Sequence, residues 1–72
     1  MVAADLRVIL VAPNVSQRMG GEAIKAFQIF QELRRLGVDV HQVTHARVRD
    51  ELTQSLPGAA IHYVEDSRSQ AL

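Results

Sequence analysis

The chain begins with a short, nearly continuous run of apolar and β-branched residues. Residues 6–12 read LRVILVA, and the five from Val8 to Ala12 are all apolar. Such runs are typical of a parallel strand that is buried on both faces. Pro13 and Asn14 end the run, because proline cannot donate to a strand ladder and asparagine favours turns. The pattern predicts a first strand over residues 6–12.

The longest periodic segment has the spacing of an α-helix. Between Glu22 and Leu36, one face carries a polar stripe: Lys25, Gln28, Glu32 and Arg35. The opposite face is broad and apolar, with two residues at its flank: Ala23, Ala26, Phe27, Phe30 and Leu33, flanked by Ile29 and Leu36. Gly37 follows at the position where helices often end in a positive-φ residue. The pattern predicts a helix over residues 22–36.

The rest of the chain predicts two further strands and a second helix. Residues 38–44 alternate as a strand does, and residues 47–55 have helical spacing that Pro57-Gly58 ends. Residues 60–64 predict a third strand, and residues 65–72 a polar tail. A β-α-β-α-β order with short connections predicts an α/β fold whose three-stranded parallel sheet has the order 3-2-1.

This topology predicts a partial domain. Two right-handed crossovers in the same direction place both helices on one face of the sheet and leave the other face bare. The first strand presents Leu6, Val8 and Leu10 to one side and Ile9 and Val11 to the other, so neither side suits exposure to water. Exposing a few hundred Å² of apolar surface forfeits several kcal/mol at about 25 cal/mol per Å². We expect residues 1–72 to be the first half of a Rossmann-like domain, truncated after the third strand. A further domain or a second copy would cover the bare face.

Composition excludes several classes of protein. Hydrophobic residues make up 47% of the 72-residue chain, which is too many for a disordered tail. A net charge of zero and only 4% aromatic residues argue against a nucleic-acid partner. The absence of cysteine excludes disulfides and thiol nucleophiles. No signal peptide or transmembrane segment is recognisable, so we expect a cytoplasmic protein.

The loop from Pro13 to Gly21 is the strongest candidate site. It lies at the carboxyl end of the first strand, where open α/β sheets bind ligands. Gly20 and Gly21 would present backbone N–H groups at a helix N-terminus, where the dipole favours an anion such as phosphate. Ser16 and Arg18 lie in the same loop and are candidate contacts. The alternative interpretation is that the glycines only form a tight turn, and the sequence leaves both open.

Two well-known phosphate loops do not fit this sequence. A dinucleotide fingerprint requires G-x-G-x-x-G and an acidic residue after the second strand, where Thr44-His45 stand instead. A Walker A loop requires Gly-Lys-Ser/Thr, whereas Lys25 lies four residues after Gly21 and precedes Ala26.

No catalytic residue, metal site or cofactor is expected. His41 and His62 lie in predicted strands, and His45 lies just beyond the second. A spacing of four does not bring His41 and His45 together on a strand, so a metal site is not predicted there. Arg47 and Arg49 follow the second strand and are candidates to contact a phosphate, and Glu65 and Asp66 follow the third and are candidates to bind a hydroxyl or a cation. Residues of these types at such positions are more often solvated surface residues.

Taken together, these segments resemble the N-terminus of GT-B-type glycosyltransferases, in particular the large retaining group that uses nucleotide-sugar donors. The resemblance covers roughly residues 7–66. The matching stretches are residues 7–13 (RVILVAP), the Gly20-Gly21-Glu22 turn, residues 32–37 (ELRRLG) and residues 38–44 (VDVHQVT). Val38-Asp39 stand where the family often has Gly-His, a position that looks structural.

The resemblance implies two Rossmann-like domains that face a cleft, with a nucleotide-sugar donor and an unidentified acceptor as partners. It also implies that Gly20 and Gly21 lie near the donor diphosphate. The family's E-x7-E segment would lie beyond Leu72, so the 72-residue chain alone is expected to be inactive. The alternative is a small non-catalytic module that binds a nucleotide or anion, or that associates with itself.

Overall fold

The protein folds as a three-stranded parallel sheet that carries two α-helices. The computed structural model describes residues 6–65, and the strand order is β1-β2-β3. The elements are β1 (Arg7–Val11), α1 (Gly21–Arg35), β2 (Asp39–His45), a 3-10 turn (Ala46–Val48), α2 (Arg49–Ser55) and β3 (Ile61–Val64). The predicted α/β class, the parallel sheet and its order are confirmed. Of the predicted polar tail, residues 66–72 lie outside the described part of the chain.

The main difference from the predicted elements lies at the start of the second helix. Residues 46–48 form the 3-10 turn, and α2 begins only at Arg49. The side chain of His45 explains the tighter turn, because its Nδ1 accepts a hydrogen bond of 2.9 Å from the Arg47 N–H. The imidazole thus acts as the N-cap of the 3-10 turn and satisfies one of its first amides.

The C-terminal end of α1 follows the predicted glycine rule. Gly37 has a φ of +83°, a conformation that costs glycine little. Its N–H donates to the Arg34 carbonyl at 3.0 Å, and the Val38 N–H donates to the Leu33 carbonyl at 3.1 Å. This pair of bonds is a Schellman motif, which ends the helix and turns the chain directly into β2.

Both helices pack on the same face of the sheet. Phe27 and Phe30 of α1 and Leu52 of α2 belong to one buried cluster. Strand β2 contributes Val40 to this cluster, and partly buried side chains of β1 and β3 pack against it: Val8, Leu10, Ile61 and Tyr63. The predicted one-sided arrangement is therefore present, and within residues 6–65 a single core lies between the sheet and the helices.

The other side of the sheet, which we call the open face, carries exposed apolar residues. The exposed fractions are 62% for Ile9, 76% for Val11 and 52% for Val64. Arg7 and Asp39 lie on the same face as these apolar side chains. Nε of Arg7 donates to Oδ2 of Asp39 at 2.9 Å. This hydrogen bond is the main cause that lowers the pKa of the Asp39 carboxyl.

Strand β2 places polar side chains on the buried face. Gln42 and Thr44 are 1% and 2% exposed, whereas Val43 points to the open face. Hydroxyl Oγ1 of Thr44 donates to the Pro13 carbonyl at 3.2 Å. Nε2 of Gln42 donates to the carbonyls of Leu10 at 3.3 Å and Val43 at 3.2 Å. The bond to Leu10 joins β2 to β1, and the bond to Pro13 joins β2 to the loop that follows β1.

Within residues 6–65, neither helix has the length and apolar content needed to cross a bilayer.

Candidate functional site

The loop after β1 borders a cleft of about 730 Å³ at the N-terminus of α1. The cleft lies between the carboxyl end of β1 and the first two turns of the helix. Its lining residues are Val11, Ala12, Pro13, Asn14, Met19, Gly20, Gly21, Glu22, Ala23, Lys25, Ala26 and Ile29. The predicted glycine pair therefore lies where the sheet topology places ligands in open α/β folds.

Ser16 and Glu51 hold the first part of this loop. Ser16 is fully buried, and its hydroxyl donates to Oε1 of Glu51 at 2.6 Å. Oε2 of the same carboxylate accepts a hydrogen bond of 2.7 Å from the Gln17 N–H. Both bonds are short and charge-assisted, which makes them stronger than neutral ones. Helix α2 thereby fixes the conformation of a loop that precedes it by more than thirty residues.

The Ser16 oxygen also accepts hydrogen bonds from the loop itself. The N–H groups of Arg18 and Met19 donate to Oγ at 2.9 and 3.1 Å. With the Gln17 amide bound to Glu51, three successive loop amides are used inside the chain. Ser16, predicted as a candidate ligand contact, thus organises the loop and is absent from the cleft lining. Arg18 is exposed and also lies outside that lining.

The next three amides are arranged differently. Gly20 is the N-cap of α1, and its carbonyl accepts from the N–H groups of Ala23 and Ile24 at 3.0 and 3.2 Å. Among residues 6–65, no hydrogen-bond acceptor is found for the N–H groups of Gly20, Gly21 and Glu22. The first amides of a helix have no partner within it, and the three residues that carry these donors line the cleft. They form the positive end of the α1 dipole.

Neither glycine of the pair is required by the fold of the described residues. Gly20 has φ −61° and ψ 177°, an extended conformation open to any residue, and Gly21 has no positive φ either. A Cβ atom added at either position would meet nothing within 4 Å. The tight-turn interpretation therefore finds no support in backbone conformation or crowding. The lack of a Cβ at these two positions leaves the backbone amides sterically accessible from the cleft.

Two charged side chains lie beside these donors in the cleft lining. Lys25 is exposed one turn into α1, and Glu22 is exposed in its first turn. Lys25 has no ion-pair partner within the described part of the chain. The lysine and the glutamate offset each other in formal charge, so the partial positive charge of the helix N-terminus is the main electrostatic feature of the cleft.

The two arginines after β2 are engaged in contacts within the chain. Nη1 of Arg47 donates to Oδ1 of Asn14 at 2.8 Å, which links the loops that follow β1 and β2. The guanidinium of Arg49 lies 5.0 Å from the centre of the Tyr63 ring. It also lies 3.9 Å from the carboxylate of Glu65. The Asn14 contact lies beside the cleft, whereas the Arg49 contacts lie at the carboxyl end of β3.

Sequence reasoning missed Glu51 and Asn14, which shape the loop. Glu51 looks like an ordinary acidic residue in the first turn of a helix, where it suits the dipole. Its contact with Ser16 spans 35 positions, so the spacing of residues along the chain cannot predict it. Asn14 was assigned only a turn-forming role, and its contact with Arg47 spans 33 positions.

Comparison with protein-family models, with curated proteins and with solved structures found no match for this chain. Within residues 6–65, no group of three or more metal-ligating side chains converges. The cleft at the N-terminus of α1, with its amides unpaired within the described residues, is therefore the candidate functional site.

Proposed function

We propose that the chain is the N-terminal part of a nucleotide-sugar-dependent glycosyltransferase and that the Gly20-Gly21 turn binds the diphosphate of the donor. The proposal rests on two observations. The fold does not require glycine at positions 20 and 21, and the N–H groups of Gly20, Gly21 and Glu22 have no acceptor within the described residues. A phosphate can approach a backbone closely only where no Cβ stands in the way. The resemblance of residues 7–66 to GT-B-type enzymes supplies the proposed reaction.

The proposed task of these amides is to stabilise the leaving group. In sugar transfer, the bond between the anomeric carbon and the diphosphate oxygen breaks, and the acceptor oxygen bonds to that carbon after losing its proton. Negative charge then develops on the nucleoside diphosphate. N–H donors fixed by α1 stabilise this charge without reorganising, and Lys25 adds a cation at the same cleft.

The walls of the cleft support a ligand that also has an apolar part. Val11, Met19 and Ile29 line it with exposed fractions of 76%, 39% and 46%. A nucleoside diphosphate combines a charged group with rings that can pack against such side chains. The cleft also adjoins β1, an edge strand of this sheet, and in doubly wound folds the ligand crevice lies beside the first strand.

The open face supports a larger assembly. Ile9, Val11 and Val64 expose apolar surface that a complete Rossmann-like domain buries under further helices. In the proposed enzyme, further elements cover this face, and a second domain supplies the rest of the donor site and the catalytic groups.

Two substitutions at Gly20 test the proposed site. Asp and Asn are both good N-cap residues, so G20D and G20N should each retain or increase stability. The aspartate places a negative charge beside the diphosphate, whereas asparagine has nearly the same shape and no charge. Calorimetric titration with UDP and GDP should show binding by the native chain, weaker binding by G20N and at least about tenfold weaker binding by G20D, which is about 1.4 kcal/mol.

Equal binding by G20D and G20N would contradict the proposed site. Inorganic phosphate serves as the second probe, because it distinguishes the two functions under consideration. If phosphate binds as tightly as UDP and GDP, the cleft recognises only the anion, and the non-catalytic anion-binding module becomes the better description. If the nucleotides bind more tightly, the nucleotide-sugar proposal is supported.

A further inference from the structure

A histidine pair on the open face lies outside the cleft and has no part in the proposed function. Nδ1 of His41 on β2 lies 3.0 Å from Nε2 of His62 on β3. The rings are nearly parallel, with centres 5.2 Å apart and an interplanar angle of 14°. The strand register pairs His62 with Val43, so His41 is its diagonal neighbour across the two strands.

Asp39 orients the first of these rings. Its Oδ1 lies 3.3 Å from Nε2 of His41. A neutral imidazole with its proton on Nε2 donates toward this carboxylate, and the lone pair of Nδ1 then faces His62. A carboxylate behind a histidine is the usual arrangement that fixes the tautomer of a metal ligand. Asp39 is itself held by the bond from Arg7.

The separation of the two facing nitrogens fits two ligands of one metal ion. With metal–nitrogen bonds of about 2.0–2.1 Å, two cis ligands lie about 2.9 Å apart at a right angle and about 3.3 Å apart at a tetrahedral angle. The observed 3.0 Å lies between these values. In the chain as described, this contact is a hydrogen bond, and with the His41 proton on Nε2 the donor is Nε2–H of His62. Binding of a metal ion therefore requires His62 to carry its proton on Nδ1 instead, and the two rings to turn from their head-on contact so that both lone pairs meet at the ion.

We propose that His41 and His62 form a two-histidine site for a divalent transition-metal ion on the open face, with Asp39 as the positioning residue. Imidazole nitrogens suit Zn²⁺, Cu²⁺ and Ni²⁺, whereas Mg²⁺ and Ca²⁺ prefer oxygen ligands. His62 is exposed among the described residues, so in this chain water can take the remaining coordination positions, and in the proposed enzyme the elements that cover the open face would replace that water. Because the ligands lie on adjacent strands, a bound ion cross-links β2 to β3.

Histidine substitutions test this site with Zn²⁺ as the probe. His62 is exposed and outside the core, so H62A should fold as the native chain does. We expect saturable Zn²⁺ binding by the native chain, with shifts of the His41 and His62 imidazole resonances, and no saturable binding by H62A or H41A. H62Q is the second variant, because it keeps a polar side chain on the strand. Zn²⁺ should also raise the thermal midpoint of the native chain and leave that of H62Q unchanged.

The matched control is H45N, which removes the third histidine and keeps a side-chain acceptor for the 3-10 turn. It should bind Zn²⁺ as the native chain does, and Mg²⁺ should produce none of these changes. Undiminished Zn²⁺ binding in H62A and H62Q would overturn the proposal, as would a loss of binding in H45N alone. Neither result bears on the glycine cleft, which none of these variants alters.

Discussion

At the scale of single residues, Gln42 is a polar side chain at the centre of an apolar core. It is 1% exposed, and its amide nitrogen donates only at 3.2–3.3 Å. Its Oε1 is buried and has no hydrogen-bond partner among the described residues. An unsatisfied buried acceptor costs about 1–3 kcal/mol of desolvation, which offsets what two long hydrogen bonds return.

Replacing Gln42 by methionine should therefore stabilise the protein. Methionine has a similar length, adapts to irregular spaces and leaves no polar atom in the core. We expect a gain of about 1 kcal/mol in the free energy of unfolding, which raises the thermal midpoint by roughly 4–8 °C in a chain of this size. Q54M, at an exposed position of α2, is the matched control and should have little effect. A loss of stability in Q42M would show that the glutamine is better satisfied than its contacts indicate.

Glycine serves two different purposes in this chain. Gly37 has φ +83° and ends α1, a role that the sequence predicts from its place after the helix. Gly20 and Gly21 have neither a positive φ nor a crowded Cβ position. Glycine is thus required for its conformation at the C-terminal end of α1. At the N-terminal end, it leaves the backbone amides sterically accessible.

At the scale of elements, the link between α2 and the loop after β1 determines which amides remain free. Glu51 accepts from the Ser16 hydroxyl and the Gln17 amide, and Ser16 accepts from the amides of Arg18 and Met19. The donors that follow, at the start of α1, have no such partner within residues 6–65. The loop thus directs its own amides inward and leaves the helix terminus open to the cleft.

Replacing Glu51 by glutamine should loosen this loop. One carboxylate oxygen becomes an NH₂ group, and a donor then faces either the Gln17 N–H or a Ser16 oxygen that already accepts two hydrogen bonds. We expect a loss of about 1–3 kcal/mol in denaturant unfolding and faster hydrogen exchange at the Gln17 amide. D50N is the control, since it removes the neighbouring exposed carboxylate from the same helix turn. Equal effects of E51Q and D50N would mean that only the α2 dipole had been altered.

The elements themselves were largely predictable because their signals are local. The apolar run that gives β1, the helical spacing of α1 and the glycine after it each depend on neighbouring residues, and the element order gives the parallel sheet. The inward Gln42, the Ser16–Glu51 bond and the His41–His62 pair were not predictable. Each depends on strand register or on contacts between distant positions, which spacing along the chain does not encode.

At the scale of the whole molecule, the two faces of the sheet differ in kind. One is packed against both helices around Phe27 and Phe30, and the other exposes Ile9, Val11 and Val64. The sequence predicted this asymmetry from two crossovers in the same direction. The cleft lies at the carboxyl end of β1, at a free edge of the same sheet. The proposed anion site therefore depends on α1 and its preceding loop, and of the open-face residues only Val11 lines the cleft.

The most direct measurement of this proposed site is a residue-by-residue map of backbone amide shifts during a UDP titration. The account predicts saturable shifts at Gly20, Gly21 and Glu22, where the N–H groups are free to bind phosphate. It predicts little change at Gln17 to Met19, whose amides are already bound within the loop, and none around His62. Saturable UDP binding that leaves the amides of Gly20, Gly21 and Glu22 unshifted would contradict the account.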